Sequence, residues 1–305
     1  MVFFFIKLAV GLFVLSFFFL MQAQAGIVEP IYKQLKDPTT GGQPSTVSMS
    51  ITPDGKKMFV LSHTRNKYYI YDLTTPFDLS TMDVSNRSEV DFVGDDPPSA
   101  SQIKDIEFNN DGTKVFVFGR AGTLHIHNLT TPYDVASISS STAVPDDGLN
   151  YTSAYGTVSR IHGVTFNNDG TKMYLSDGTI TSTDITQVNL STPFDPSSGT
   201  STSNLNTESI TARYTMDLAF DDDGTRLYLS ESNVGVAINY MYVWKLSNPF
   251  ELSSATYVDK WQILGNGNNL SPYAWTFGNN GMKLYIGTED ASTDGDNIIY
   301  EYDLS

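Results

Sequence analysis

Apolar and polar positions alternate along this chain in a unit that recurs five times, most clearly in Ile161–Ser176, IHGVTFNNDGTKMYLS. Each copy opens with a short run closing on Phe or Ile: Met49-Ser50-Ile51, Ile106-Glu107-Phe108, Val164-Thr165-Phe166, Leu218-Ala219-Phe220 and Trp275-Thr276-Phe277. Side chains that alternate with period two predict a strand. A polar turn follows, with Gly55, Gly112, Gly170, Gly224 or Gly281 at its end. Glycine there predicts a tight hairpin, because it takes positive φ without a steric cost. The return strand sets an aromatic between two aliphatics, as in Met58-Phe59-Val60 and Met173-Tyr174-Leu175, the pattern of a strand covered on both faces.

A third run ends on Leu in every copy: YYIYDL to Leu73, LHIHNL to Leu129, ITQVNL to Leu190, MYVWKL to Leu246 and IYEYDL to Leu304. In four copies a Pro-aromatic-acid segment follows, as at Thr75-Pro76-Phe77-Asp78, and Pro marks the strand's exit because it has no N–H for the ladder. Roughly 20 variable residues then precede the next copy, enough for one outer strand, such as Val258–Leu264 or Val90–Gly94. The turn glycines are spaced by 57, 58, 54 and 57 residues. Four strands in each of five such repeats predict an all-β propeller of five blades. The fifth copy ends after its third strand, and Ile27–Leu35 has the spacing of an outer strand. We therefore expect the N-terminal segment to complete the last blade and leave no unpaired edge between the chain ends.

Residues 1–25 break the pattern: Lys7, an apolar run from Leu8 to Met21, then Ala23-Gln24-Ala25. These are the parts of a cleaved signal peptide, and the run is shorter than the about 20 residues of a membrane span. An uncleaved anchor lengthened by Val2–Ile6 is the competing reading. The expected organisation is a signal peptide, 1–25, and a propeller, 26–305, exported to the extracellular space, or to the periplasm of a Gram-negative cell. Without the leader, 17 basic side chains face 34 acidic ones. That balance disfavours nucleic acid and an anionic membrane surface as partners, apart from the signal segment's own passage. The chain has no Cys, so disulfides, thiolate metal sites and Cys nucleophiles are excluded.

The runs TPDGKKMFVLS, NNDGTKMYLS and DDDGTRLYLS resemble the repeats of the YVTN, TolB-type and lactonase-type β-propellers, and most of all the uncharacterised repeat proteins with the pattern DGTKMYV…YDLSTP. The resemblance covers residues 45–305 and implies the propeller fold. It departs from the lactonase type in having five copies in place of seven, and no lactonase catalytic motif can be placed on it.

Candidate chemistry is sparse. His125-Ile-His127 puts two imidazoles on one face of a strand, the geometry of a metal chelate. The same slots hold Tyr69 and Tyr71, Tyr242 and Trp244, and Tyr300 and Tyr302 in other copies, so a packing role is the expectation. Asp221-Asp222-Asp223 is accounted for by turn chemistry, since Asn-Asn-Asp fills the same place twice. Asp290, Asp294 and Asp296 form an acidic loop whose spacing admits Ca²⁺, the one cofactor the sequence suggests, without a full calcium-loop motif.

The first strand of each blade is expected to line the channel, and three positions before the closing Phe or Ile stand Ser48, Asp105, Gly163, Asp217 and Ala274. Asp105 and Asp217 are the candidate ligand-binding pair, with Lys104, His162, Arg160, Arg213 and Tyr273 at the channel mouth. The competing role for each Asp is to accept backbone N–H groups of a neighbouring blade. With no catalytic motif in the chain, the expected function is a non-catalytic extracellular module that binds a protein or glycan or serves as structure. The alternatives are a self-assembling subunit of an extracellular assembly or filament, and a channel-mouth enzyme of lactonase or glycan-cleaving type.

Overall fold

The computed structural model describes residues 31–36, 46–62, 67–91, 103–119, 124–144, 161–177, 184–211, 214–232, 239–263, 271–289 and 298–304. The N-terminal strand is β1 (Ile31–Lys36). Blade 1 contains β2 (Thr46–Ile51), β3 (Lys57–Ser62), β4 (Lys67–Asp72) and β5 (Ser88–Asp91). Blade 2 contains β6 (Ile103–Phe108), β7 (Lys114–Gly119), β8 (Leu124–Leu129) and β9 (Ile138–Val144). Blade 3 contains β10 (Ile161–Phe166), β11 (Lys172–Asp177), β12 (Asp184–Leu190) and β13 (Gly199–Asn206). Blade 4 contains β14 (Tyr214–Phe220), β15 (Arg226–Ser232), β16 (Asn239–Leu246) and β17 (Ala255–Ile263). Blade 5 contains β18 (Ser271–Gly278), β19 (Lys283–Glu289) and β20 (Ile298–Asp303). Its fourth strand is β1, antiparallel to β20 with Tyr32 opposite Tyr302. The chain is a five-bladed propeller closed by its own N-terminal strand.

Five apolar cores lie between the blades, each built from two neighbours. Phe116, Phe118 and Leu124 of blade 2, for example, pack with Val164, Met173 and Val188 of blade 3, and Tyr285 and Ile299 of blade 5 pack with Met49 and Val60 of blade 1. In blades 1–4 the aromatic of the second strand meets the closing Phe of the next blade: Phe59 with Phe108 at 4.9 Å, Phe116 with Phe166 at 4.9 Å, Tyr174 with Phe220 at 4.6 Å and Tyr228 with Phe277 at 4.8 Å. A sequence of apolar runs thus becomes a ring because each blade's two faces can only be buried by its neighbours.

The segment after each third strand does more than leave the sheet. Phe77, Tyr133, Phe194 and Phe250 all have positive φ, from 54° to 61°. An aromatic in the left-handed region costs about 1–2 kcal/mol. The compensation is local: the Phe194 N–H donates to the Gly170 carbonyl at 2.9 Å, and its ring lies over Gly170, where a Cβ would stand 2.3 Å from it. A short 3-10 turn follows, and in blades 2, 3 and 4 it leads straight into the outer strand. In blades 1, 2 and 3 it is capped by Asp78, Asp134 or Asp195. The outer strands start earlier than expected, at Ala255 in place of Val258, straight after the 3-10 turn, and at Ser88 in place of Val90. Of the expected closing segment Ile27–Leu35, Ile31–Leu35 falls in β1, and residues 27–30 lie outside the described residues.

Candidate functional site

The five innermost strands are β2, β6, β10, β14 and β18, each flanked by the next around the channel. All five carry a register shift at the same place in their pairing with the second strand, between Thr46 and Ser48, Ile103 and Asp105, Ile161 and Gly163, Thr215 and Leu218, and Pro272 and Ala274. A bulge re-aims the side chains around it. Lys104, His162 and Tyr273 are the extra residues in three of these bulges, which explains why they depart from the small residues beside them.

The structure brings Asp105 and Asp217 to one channel cavity of about 200 Å³, as the register predicts. Both are buried, and both bind the fold. The Asp105 carboxylate accepts the Ser48 hydroxyl of blade 1 at 2.6 Å, the Ile106 N–H of its own strand at 2.8 Å and the Val164 N–H of blade 3 at 2.7 Å. One side chain therefore ties three consecutive blades. Asp217 accepts the Leu218 N–H at 2.8 Å and the backbone N–H of Trp275 in blade 5.

Between blades 3 and 4 the tie is different. The Ser176 hydroxyl donates to the Met216 carbonyl at 2.9 Å, and Gly163 sits so close to blade 4 that an added Cβ would be 2.7 Å from the Asp217 Cα. The small residues of the hub ring are where backbones meet. The role weighed against ligand binding, satisfying a neighbour's N–H groups, is the one these distances display.

Glu107 also lines the cavity, two residues beyond Asp105 on the same face of β6, and its carboxylate accepts the Thr165 hydroxyl at 3.4 Å. Sequence reasoning passed over it, although the period-two rule that placed Asp105 in the channel places Glu107 there as well. Burial raises the Asp105 pKa to about 7 against the pull of its three hydrogen bonds. Burial, then the Asp105 charge, pushes both Glu107 and Asp217 well above the ordinary carboxylate range.

Of the other candidates, Lys104 is half-buried, and the His162 Nδ1 lies 3.3 Å from the Met216 sulfur. Tyr273 is on β18, and Arg160, Arg213, Asp290, Asp294 and Asp296 lie outside the described residues. His125 and His127 are buried with their rings stacked at 6.3 Å and 11°, alongside the equivalent Tyr242–Trp244 pair at 6.3 Å and Tyr300–Tyr302 pair at 6.5 Å. Burial, reinforced by His125, lowers the His127 pKa to about 4, so the His127 ring packs as a neutral aromatic at pH 7.

The blades and hub define a member of the β-propeller class. No sequence family pattern matches the chain, and no curated protein sequence does. Among solved structures it is similar to the β-propeller domain of Cps50 (Swd1) from Myceliophteria thermophila, with a TM-score of 0.48, 9% identity and coverage of 90% of this chain and 100% of that one. A candidate 6-phosphogluconolactonase from Bacteroides uniformis gives a TM-score of 0.44 and 14% identity, covering 81% of this chain and 68% of that one. Hydrazine synthase from Kuenenia stuttgartiensis gives 0.43 and 13%, covering 82% of this chain, which spans 57% of the length of that one. The likeness is one of fold, and the fold itself rests on the five sheets described above.

Proposed function

We propose that this chain is an exported, non-catalytic propeller that acts as an extracellular binding module, akin to the YVTN-type repeat proteins its turns resemble. The observation that carries this reading is the bonding of the hub. The two carboxylates best placed for channel chemistry hold neighbouring blades together through Val164 and Trp275. Groups fixed in that way are poorly suited to approach and leave a substrate. The leader-like residues 1–25 support export, and the acidic balance supports a soluble surface that avoids polyanions.

The test is to present the immobilised mature chain with a glycan array and with extracellular proteins of the producing cells. Stoichiometric retention of a ligand recovered unchanged in mass is the expected outcome. Conversion of lactones, esters or aryl glycosides at a rate that falls in Glu107→Gln would establish the enzyme reading instead.

A specific observation supports a second reading, a subunit of an extracellular assembly. The outer strand of blade 4 is nine residues long and exposes Tyr257 at 37% and Val258 at 48%. Outer edges of that kind invite pairing with another chain. Sedimentation of the mature chain over a concentration series would show association that Val258→Lys removes.

A further inference from the structure

The repeats allow each groove between blades to be compared with its equivalents. Between blades 3 and 4, Gln187 stands opposite Tyr174, and its Oε1 accepts the Leu252 N–H from the 3-10 turn of the following blade at 3.0 Å. Between blades 5 and 1, Glu301 stands opposite Tyr285 and accepts the Leu79 N–H at 2.8 Å. Each groove is filled by an acceptor oxygen reaching one backbone donor. Between blades 2 and 3 the receiving residue is the apolar Ile126, and the facing position is Pro196, which has no N–H.

The groove between blades 1 and 2 breaks this matching. Its receiving residue is Ile70, opposite Phe59, while the facing residue is Val135, which does have an N–H. Among the described residues nothing accepts that N–H, and the groove stands open with a volume of about 890 Å³. Among the described residues the outer strand β5 spans four residues and covers less of the rim than the nine-residue β17 does in blade 4. Phe59, Ile70 and Val90 make an apolar wall. On the rim, Lys57 is paired with Asp72 at 2.7 Å, which leaves Asp54, Asp111 and Asp134 facing Lys56 alone.

We propose that this groove is a peptide-binding site, and that its occupant is an extended segment of a partner protein. The segment places an amide oxygen on the Val135 N–H and an apolar side chain against Phe59, Ile70 and Val90. Lys or Arg flanks it toward the acidic rim. The acceptor is neutral because an added carboxylate would meet three rim carboxylates, whereas the cationic flanks complement them and are steered by the chain's net charge of −16. The volume lies within the range of ligand pockets. The proposal rests on the binding-module reading and specifies where that module works.

The probe is the blocked, fluorescent peptide acetyl-KLQLK-amide, with acetyl-ELQLE-amide as its counterpart, followed by anisotropy and by the NMR shift of the Val135 amide. The parent is expected to bind the basic peptide about tenfold more tightly than the acidic one, with the Val135 amide shifting on binding. Ile70→Gln copies the acceptor of blade 3 and fills the site from within, so it should weaken the peptide at least about tenfold and leave melting at or above the parent value. Ser88→Trp blocks the groove from its exposed rim and should do the same without touching the wall.

Absence of binding to the parent at the solubility limit of the peptide, or equal binding by the parent and both variants, overturns the proposal. Parent self-association that both variants abolish would make a second copy the occupant and overturn it too. A ligand retained by the parent and by Ile70→Gln alike would remove this groove and keep the binding module, whereas turnover would remove the module itself.

Discussion

Blade 5 differs from the other four in the source of its outer strand, β1 from the N-terminal side of the chain, and in the cover over its turn glycine. In blades 1–4 an aromatic ring lies over the turn glycine, whereas among the described residues nothing lies within 4 Å of where a Cβ would stand on Gly281. The turn itself changes with it. Asn279 and Asn280 join Gly281 at positive φ, while in the other four turns, among the described residues, only the glycine has it. The comparison separates two demands on the same glycine, a left-handed backbone in all five turns and room for a ring in four.

The largest effect is expected where blade 5 depends on the chain's start. Removing residues 26–36 deletes β1 and exposes the edge of β20, and should cost several kcal/mol by denaturant unfolding. Unfolding identical to the parent would mean that the ring does not need this strand.

Next is the pair of turn substitutions. Gly170→Val places a branched residue at φ 69° and drives it into Phe194, so about 3 kcal/mol or more should be lost. Gly281→Val meets the backbone demand alone, with about 1–2 kcal/mol expected. Equal losses at the two sites would dissolve the distinction.

A third effect belongs to the hub, which all five blades share. Asp105, Glu107 and Asp217 have folded pKa values above their unfolded ones, so the native state holds more protons than the unfolded state above about pH 4. Stability from these groups is therefore greatest below their unfolded pKa and falls as pH rises through about 7, the folded value for Asp105. His127 acts in the opposite sense. Its folded pKa near 4 lies below the unfolded 6.5, so its contribution is present above 6.5 and lost as pH falls toward 4. Urea unfolding across pH 4–8 should show stability declining with pH, and the decline should flatten in Glu107→Gln.

The smallest effect is at the aromatic slots. His125→Tyr with His127→Tyr restores the rings used by blades 1 and 5, should change stability by less than about 1 kcal/mol at pH 7, and should steepen the decline from pH 4 to 8.

Most of the ring was legible because one rule was written five times. The run closing on Phe166, the Gly170 turn and the strand around Tyr174 each identify their copies, and the missing outer strand pointed to the segment that contains β1. What could not be read depends on contacts between blades. Nothing local to Phe194 announces a left-handed aromatic, because its conformation is set by the glycine it covers in an earlier strand pair. Asp105 was placed in the channel by its register, but whether it faces a ligand or an amide depends on the distance to Val164 in another blade. The open groove became visible only when Ile70 was aligned with Gln187 and Glu301, and the loop residues Val135, Leu252 and Leu79 with one another.

The central claim is that the hub carboxylates hold the blades together. Its most direct measurement is amide hydrogen exchange at Val164 in Asp105→Asn, where the new side chain can place an N–H₂ against the Val164 N–H it must satisfy. The account predicts that Val164 loses protection about tenfold to a hundredfold, with a matching fall in unfolding free energy. Parent-like protection at Val164 together with parent-like stability would contradict it.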